Sequence, residues 1–454
     1  MTIATDRIPL HTKLAHGLGS MAYGVKDNGF STFLLIFYSQ VIGLDAKMVS
    51  LALMLALIVD AFADPVIGHL SDRTYTRWGR RHPWLYLAAI PLGFAWMLLW
   101  SPPEDKTYIF AYLVVVAILV RTLISCCEVP SQSLVAELTH DYDERTSLTR
   151  FRFLFAWGGG LLVFFLANAV FLRSDETHKF GQLNPEGYWN YGLAGAVLMA
   201  ASVILSALGQ HKRVAHWPTD KPDSTTIRQA LTEILESLRH PAALILLGAT
   251  AIAISSTQMT FTLSNFLYLY VWQFSDGNFA WLPWLLFGSV VAAFLAVAPL
   301  HRRYGKKKSA IVAGVLSTGF WLTPYTLRLA GVWPPEGSAA SSNLLFVFMM
   351  LSNINAVIVT ISAQSMLADV VEASYEQTGR RTEGVFAAGW MFVQKCATAV
   401  GIGLSGVLIS WSGLPRKAVP GQVDVAVIDR LTTAYGVIVI IALIASTLLF
   451  RRFP

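Results

Sequence analysis

The sequence predicts an all-α membrane protein that crosses the bilayer about twelve times. Its 454 residues are 54% hydrophobic and only 14% charged, whereas soluble domains carry about 25% charged residues. Apolar runs recur along nearly the whole chain, and many approach the ~20 residues that a helix needs to cross the hydrocarbon core of a bilayer. No soluble fold requires so many apolar segments, so most of the chain is expected to face lipid.

Counting the apolar runs gives twelve spans. They cover residues 16–42, 49–70, 83–100, 109–134, 148–171, 189–208, 242–272, 282–300, 309–330, 344–368, 384–409 and 431–450. The first run follows several charged residues and lacks a small-residue cleavage pattern, so we expect it to remain as a span rather than to be removed as a signal.

The basic residues predict the orientation in the membrane. Arginine and lysine cluster after the second, sixth and eighth spans, while the turns at 43–45, 101–104 and 333–337 carry no positive charge. Because basic loops stay in the cytoplasm, both termini are expected there, in the plasma membrane or in the inner membrane of a Gram-negative cell. Topology thus explains the formal charge of +6, and nucleic acid is not an expected partner.

The longest polar stretch between spans, residues 209–241, divides them six and six. We therefore expect an N-terminal six-helix bundle over 1–208, a cytoplasmic linker over 209–241 and a C-terminal bundle over 242–454. A weak repeat supports this division, because similar basic loops follow the second and the eighth spans.

Two carboxylates lie within the second span. Asp60 and Asp64 are four residues apart and therefore share one face of a helix. Ionisable groups at membrane depth are costly and persist mainly where they bind an ion, face a cavity or pair with a base. Oxygen ligands suit a hard cation such as Na⁺, and a carboxylate pair equally suits a proton, because protonating one acid relieves the repulsion. The structural alternative is a pair near the helix end that is solvated or bonded to a neighbouring helix.

Lys395 lies well inside the eleventh span. A buried lysine needs a carboxylate partner or loses its proton, and Asp60 and Asp64 are the candidates. Since the eleventh span belongs to the other predicted bundle, such a pairing would link the bundles and respond to cation binding. Alternatively, Lys395 extends to an aqueous loop.

The fourth and fifth spans carry a second polar group. Glu128 stands two residues before a proline, which frees backbone carbonyls and suits the wall of a polar cavity. Arg152 could contact a substrate oxygen or pair with Glu128, and that pair could equally be structural. Asp27 and Lys26 in the first span are similarly placed, with function and structure both open. Among the aromatic residues, Trp390 could stack on a sugar ring.

The loop after the second span predicts a conformational latch rather than a binding site. Asp72 can cap a helix end, while Arg73, Arg80 and Arg81 can bind neighbouring carbonyls or acids. Charged residues around the loop after the tenth span, among them Glu383, could form an equivalent latch in the other half.

Catalytic motifs are absent from the sequence. It has no phosphate-binding loop, no histidine and glutamate spacing typical of a metal site, and no nucleophile elbow. We therefore expect neither an enzyme nor a bound cofactor, but ligand binding coupled to conformational change.

The motif around the second span resembles the melibiose permease-like family of glycoside-pentoside-hexuronide:cation symporters. It reads Asp60-Ala61-Phe62-Ala63-Asp64-Pro65, then Gly68, Asp72-Arg73 and Arg77-Trp78-Gly79-Arg80-Arg81-His82-Pro83-Trp84. Supporting matches are Lys13 to Gly19, Glu128-Val129-Pro130, Glu144-Arg145, Arg152 and Lys395. Together they cover the first five spans and the eleventh.

The resemblance implies a major facilitator fold of two six-helix bundles, alternating access, and cotransport of a small solute with Na⁺, Li⁺ or H⁺. By position, Asp60 and Asp64 match the cation-binding aspartates of the family, and would hold the metal if the ion is Na⁺. Ser125 falls where a cation-site threonine is found, and Lys395 matches the coupling lysine beside them.

At the sugar site the resemblance is less complete. Glu128 falls where a sugar-binding aspartate is expected, and Arg152 matches an arginine of that site. Gly24 stands where the family has a sugar-binding aspartate in its first span, and the nearest acid, Asp27, is one turn further along. Gln132 replaces a tryptophan that stacks on the sugar.

The function implied is cation-coupled symport of a sugar or glycoside, with membrane lipid around the chain. Because the sugar half of the motif departs from the family pattern, melibiose is not the expected substrate. A related branch of the family carries lysophospholipids, which makes a lysophospholipid or other amphiphile the alternative. A non-transporting membrane sensor with the same fold is a minor alternative.

Overall fold

The computed structural model describes residues 7–139, 141–214, 241–378 and 383–452. Every regular element in these ranges is a helix, which confirms the predicted all-α class. Most of the predicted linker, residues 215–240, lies outside the described part of the chain.

Twelve helical segments, numbered here in chain order, make up the described structure. They are α1, which runs with interruptions from Leu10 to Ile42; α2, Ala46–Asp72; α3, His82–Trp100; α4, Ile109–Leu138; α5, Tyr142–Leu166; α6, Pro185–Val214; α7, Pro241–Phe266; α8, Asp276–Tyr304; α9, Lys306–Leu329; α10, Ala339–Thr378; α11, Glu383–Ser412; and α12, Val425–Arg452. Wider π-helical turns extend α5 over Ala167–Phe171 and α7 over Leu267–Val271.

The helices coincide with the predicted spans but are longer at several ends. α2 begins at Ala46 rather than at 49, and α4 continues to Leu138 rather than to 134. The apolar pattern marks only the part of a helix that faces lipid, whereas backbone hydrogen bonding continues into the polar residues beyond it.

α1 departs most from its predicted form. It is built from the α-helical pieces Leu10–Leu18, Met21–Asn28 and Leu34–Ile36 and the π-helical turns Gly29–Phe33 and Phe37–Ile42. Eleven helices in the described ranges are long and apolar enough to cross a membrane. α1, which corresponds to the first predicted span, is outside that set because it is divided into short pieces.

Glycine allows α1 to lie directly against α5. A Cβ on Gly17 would lie 2.9 Å from the carbonyl oxygen of Phe151. A Cβ on Gly24 would overlap the carbonyl oxygen of Ala156 and lie 2.7 Å from the backbone nitrogen of Gly160. Backbones this close exclude every side chain at Gly24, so only glycine fits there.

The chain divides into two compact units. The first comprises Met1–Phe37 and Ala52–Ile227, and the second comprises Tyr38–Leu51 and Arg228–Pro454. The segment 38–51, which ends α1 and begins α2, thus groups with the C-terminal part of the chain. The predicted limits of the two bundles, at 208 and 242, stay a prediction.

Aromatic clusters lie in the core of each unit. In the first unit Trp100 and Tyr188 stack with their ring centroids 5.8 Å apart, and Phe33 and Trp96 lie around them. In the second unit the rings of Trp272 and Tyr325 are 5.1 Å apart. Burial of such large apolar rings fixes how the helices of a unit pack.

Two helices at corresponding positions of the predicted repeats end in the same way. α1 ends where the Leu44 N–H donates to the Tyr38 carbonyl at 2.9 Å, and the extension of α7 ends where the Phe274 N–H donates to the Tyr268 carbonyl at 2.9 Å. This similarity supports the internal repeat that the basic loops indicate.

Candidate cation and substrate site

Asp60 lies in α2 and is 2% exposed. The Ser125 hydroxyl on α4 donates a hydrogen bond of 2.8 Å to its Oδ1. On the other side of the carboxylate, Nε of Arg121 lies 3.4 Å from Oδ2. Because Arg121 and Ser125 are one turn apart on α4, a single helix face contacts both oxygens of Asp60.

Asp64 lies one turn after Asp60 on α2, just before Pro65, and is partly buried. Its position brings the second predicted carboxylate onto the same helix face as the first. The structure therefore places Asp60 and Ser125 in direct contact and Asp64 one turn away. Their role in cation binding stays a prediction.

Glu128 on α4 and Arg152 on α5 belong to a second group of polar side chains. The Gln132 side-chain amide donates to Glu128 at 3.2 Å, along one face of α4. Arg152 on α5 donates to the Ser131 hydroxyl at 2.7 Å, and its guanidinium lies 5.7 Å from the centre of the Tyr23 ring. Three helices of the first unit thus present donors and acceptors that could bind the hydroxyl groups of a solute.

Lys26 and Asp27 form an ion pair on α1. Nζ of Lys26 lies 2.8 Å from Oδ1 of Asp27, whose side chain is 68% exposed while that of Lys26 is 10% exposed. Lys26 also interacts electrostatically with Glu128, Arg121 and Asp60. The charged groups of α1, α2 and α4 consequently act on one another as one set.

The ionisable groups of α1, α2, α4 and α5 described above include both signs of charge. The acids are Asp27, Asp60, Asp64 and Glu128, and the bases are Lys26, Arg121 and Arg152. The most deeply buried members are Asp60, Arg121 and Lys26, which are 2%, 5% and 8% exposed. A carboxylate buried among such groups is a candidate ligand for a cation.

The predicted latch of the first unit is built around one arginine. Arg81 donates to Asp72 at 2.5 Å and to Glu137 of α4 at 2.8 Å, which links the loop to two helices. Arg80 lies 5.7 Å from the centre of the Tyr75 ring. That this group of residues acts as a conformational latch, and that Arg73 takes part in it, both stay predictions. Glu383 begins α11, but its side chain lies outside the described residues.

A family model described as MFS/sugar transport protein matches residues 15–454, which is nearly the whole chain. The chain belongs to the MFS/sugar transport protein family. It is therefore a multi-pass membrane transporter and not an enzyme, and the predicted major facilitator fold of about twelve helices is confirmed.

Three relatives of this MFS/sugar transport protein are named as symporters. The inner membrane symporter YicJ of Escherichia coli is 24% identical over 99% of this chain and 92% of its own length. The putative glycoside/cation symporter YagG of E. coli is 25% identical over 89% and 83%. The sodium-dependent lysophosphatidylcholine symporter 1 of Gallus gallus is 23% identical over 99% and 87%. The predicted membership of the glycoside-pentoside-hexuronide:cation symporter group is confirmed.

A solved transporter shares the fold. The crystal structure of the nucleoside transporter NupG superposes with a TM-score of 0.65, covering 97% of this chain and 98% of the other. At 13% sequence identity, this likeness concerns the fold alone.

Two residues predicted for the site lie in the second unit. Lys395 is half-buried on α11. Trp390, one turn earlier, is 7% exposed and belongs to a hydrophobic cluster with Leu246 and Met366. That packing gives Trp390 a structural role, and its predicted contact with a sugar ring stays a prediction, as does the coupling role of Lys395.

Arg121, Tyr23 and Ser131 have contacts in the site that were not predicted from the sequence. The signal for Arg121 was its spacing of four residues from Ser125, which places both on one face of α4. For Tyr23 and Ser131 no comparable signal exists, because their contact with Arg152 depends on the packing of α1 and α4 against α5.

Residues around the end of α1 form a further polar group in the second unit, the hairpin cluster, which the sequence did not indicate. Asp45 accepts hydrogen bonds from Ser410 at 2.8 Å and from Arg416 at 3.1 Å. Gln40 accepts from Tyr270 at 3.2 Å and from the Ala418 N–H at 3.0 Å. These bonds hold the segment 38–51 to the extension of α7, to the end of α11 and to the loop that follows α11.

Proposed function

We propose that this protein is a symporter that moves a sugar or glycoside together with a monovalent cation by alternating access. The observation that carries the proposal is the carboxylate of Asp60, which is 2% exposed within a helix long and apolar enough to cross a membrane. A buried ionisable group at membrane depth is costly and typically marks an ion pathway. A bound cation would lower that cost, and the names of the relatives agree with symport.

The cation is proposed to bind between Asp60, Asp64 and Ser125. Carboxylate and hydroxyl oxygens are ligands that Na⁺ and Li⁺ accept, and the carboxylates also bind H⁺. Without the cation, Lys395 is proposed to supply positive charge to the acids of α2 alongside Arg121, so that ion binding releases it. Coupling then requires only that ion and solute favour the same conformational state.

The solute is proposed to bind beside the cation, at Glu128, Gln132 and Arg152. The carboxylate and the amide oxygen accept from sugar hydroxyls, while the guanidinium donates to ring or hydroxyl oxygens. Asp27, with its exposed side chain, adds a further acceptor. A glycoside is therefore the proposed substrate class. We propose that the protein lies in the plasma membrane, or in the inner membrane of a Gram-negative cell, with both termini cytoplasmic.

A second candidate is a cation-coupled transporter of a lysophospholipid or other amphiphile. The relative named a sodium-dependent lysophosphatidylcholine symporter, which aligns over 99% of this chain, supports it. Arg152 would then contact the phosphate rather than a sugar oxygen.

Uptake into proteoliposomes tests both candidates. Labelled glycosides, uronides and lysophosphatidylcholine are offered with an inward Na⁺ gradient, an inward H⁺ gradient, or neither. Accumulation of one class against its gradient is expected for the wild type and should be lost in Asp60→Asn and Asp64→Asn. Gradient-driven accumulation that survives both substitutions would contradict the cation site, and accumulation of lysolipid alone would favour the second candidate.

A further inference from the structure

The carboxylate of Asp60 is contacted on both sides by α4. Ser125 donates to Oδ1, and the Arg121 guanidinium stands at Oδ2. A cation that binds to Asp60 must therefore share the carboxylate with a positive charge that belongs to the protein. This is a different situation from an open pair of aspartates, in which the two carboxylates only repel each other.

The Arg121 guanidinium is buried but not tightly bonded. Arg121 is 5% exposed, and its Nε donates no hydrogen bond among the described residues. The separation of 3.4 Å from Asp60 exceeds the ~2.7–2.9 Å of a charge-assisted hydrogen bond. On its other side the guanidinium lies 4.8 Å from the centre of the Phe30 ring, whose face attracts a cation. Arg121 thus has two alternative sources of stabilisation, one of which is independent of Asp60.

We propose that Arg121 is the built-in counter-ion of the coupling site, which competes with the transported cation for Asp60 and so sets the affinity for that cation. In the ion-free site the guanidinium neutralises Asp60. When the cation binds, repulsion moves the guanidinium away from Oδ2, while the Phe30 ring continues to stabilise it. This inference rests on the proposed symport, and assigns the ion affinity of that same site to a specific residue.

The surrounding charges agree with this role. Lys26 interacts electrostatically with both Arg121 and Asp60, so two bases already act on the one buried acid. Removing Arg121 takes one positive charge away from Asp60, so that the carboxylate attracts any cation more strongly. A residue that only held α2 and α4 together would have the opposite effect, because its loss would disorder the ligands.

The test measures cation affinity on purified full-length protein without a transported solute. Thermal unfolding is followed while NaCl or LiCl replaces choline chloride at constant ionic strength, and a third series lowers the pH in choline chloride alone. Arg121→Gln is expected to bind whichever of these cations stabilises the wild type at least about tenfold more tightly. Arg121→Lys, which keeps the charge, should stay within about threefold of the wild type.

The outcomes separate this inference from the proposed function. If no cation stabilises the wild type, the proposed symport fails. If a cation stabilises the wild type but binds Arg121→Gln equally or less tightly, only the role of Arg121 fails.

A second comparison remains available if Arg121→Gln does not fold. Asp60→Asn leaves a buried guanidinium without its carboxylate, whereas Asp60→Asn combined with Arg121→Gln removes both charges. The double variant is expected to melt several degrees higher than Asp60→Asn alone. Equal or lower melting of the double variant would overturn the pairing on which the proposal rests.

Discussion

The Ser125 hydroxyl donates a 2.8 Å hydrogen bond to Oδ1 of Asp60, from one membrane helix to another. We expect Ser125→Ala to weaken binding of Na⁺ or Li⁺ about tenfold, because the hydroxyl orients Asp60 and is itself a proposed oxygen ligand of the ion. Ser125→Thr, which keeps the hydroxyl, should bind the cation as the wild type does. Titration of the melting temperature with NaCl and LiCl measures the change.

Ser131→Ala is the matched control for this prediction. Ser131 lies on the same helix but accepts from Arg152 rather than donating to Asp60. Its loss should leave cation affinity unchanged. A similar decrease in both alanine variants would indicate general loosening of α4 and would contradict a specific role of Ser125.

The close approach of α1 and α5 leaves no room for a side chain at Gly24, the position where the family resemblance expects an aspartate in the first span. A Cβ at this position overlaps the Ala156 carbonyl oxygen, so both Gly24→Ala and Gly24→Asp should lower the melting temperature strongly. Overpacking of this kind costs about 1–3 kcal/mol or more. Gly158→Ala is the control, because a Cβ on Gly158 meets nothing within 4 Å. That variant should melt at or slightly above the wild-type temperature, since alanine favours the helix.

If Gly24→Asp instead folds normally and improves glycoside binding, the close approach of α1 and α5 is not required. The acid could then be restored at the family position. The structure predicts otherwise, and Asp27 stays the acid of α1 that we propose to contact the solute.

The sequence predicts the helices well because each apolar run has one physical cause, the thickness of the bilayer. α1 was the exception, because a turn at residues 19–20 and the π-helical turns Gly29–Phe33 and Phe37–Ile42 interrupt it, and an apolar run does not mark such interruptions. The acids of the site were predictable as well, since a carboxylate at membrane depth is unusual in itself. The base that lies beside Asp60 could not be predicted from the sequence. Lys395 and Arg121 are both candidate bases, and choosing between them requires the rotation of α4 relative to α2.

Asp45 is the N-cap of α2 and should stabilise the protein in a pH-dependent way. Partial burial opposes its ionisation, but hydrogen bonds from Ser410, the Lys47 N–H and Arg416 prevail and hold the pKa of Asp45 below its usual value. A lowered pKa means that the stabilisation is complete above the unfolded-state value, about 3.9, and is lost as the pH falls below it. Asp45→Asn should therefore lower the melting temperature at pH 5–8 and matter progressively less below pH 4.

Thermal melts of the wild type and Asp45→Asn between pH 3.5 and pH 8 check this prediction. Asparagine can still cap the helix, so about 1 kcal/mol is expected at neutral pH for the lost charge, because hydrogen bonds to a charged group are stronger than those to a neutral one. Asp424→Asn serves as the control, because Asp424 caps α12 through the Ala426 N–H but lies outside the hairpin cluster. If the two variants have identical pH profiles, the bonds to Ser410 and Arg416 contribute nothing beyond an ordinary cap.

The predicted coupling role of Lys395 can be tested by measuring cation affinity and melting temperature, without a transport assay. If it supplies positive charge to the acids of α2 in the ion-free state, Lys395→Gln should raise the affinity for the coupling cation, as Arg121→Gln does. In a double-mutant cycle with Asp64→Asn, the effects on melting temperature should then be non-additive, because residues that interact do not contribute independently. Lys417→Gln, at an exposed loop position, should combine additively with Asp64→Asn. Additivity in both cycles would separate Lys395 from the α2 acids and leave Arg121 as their counter-ion.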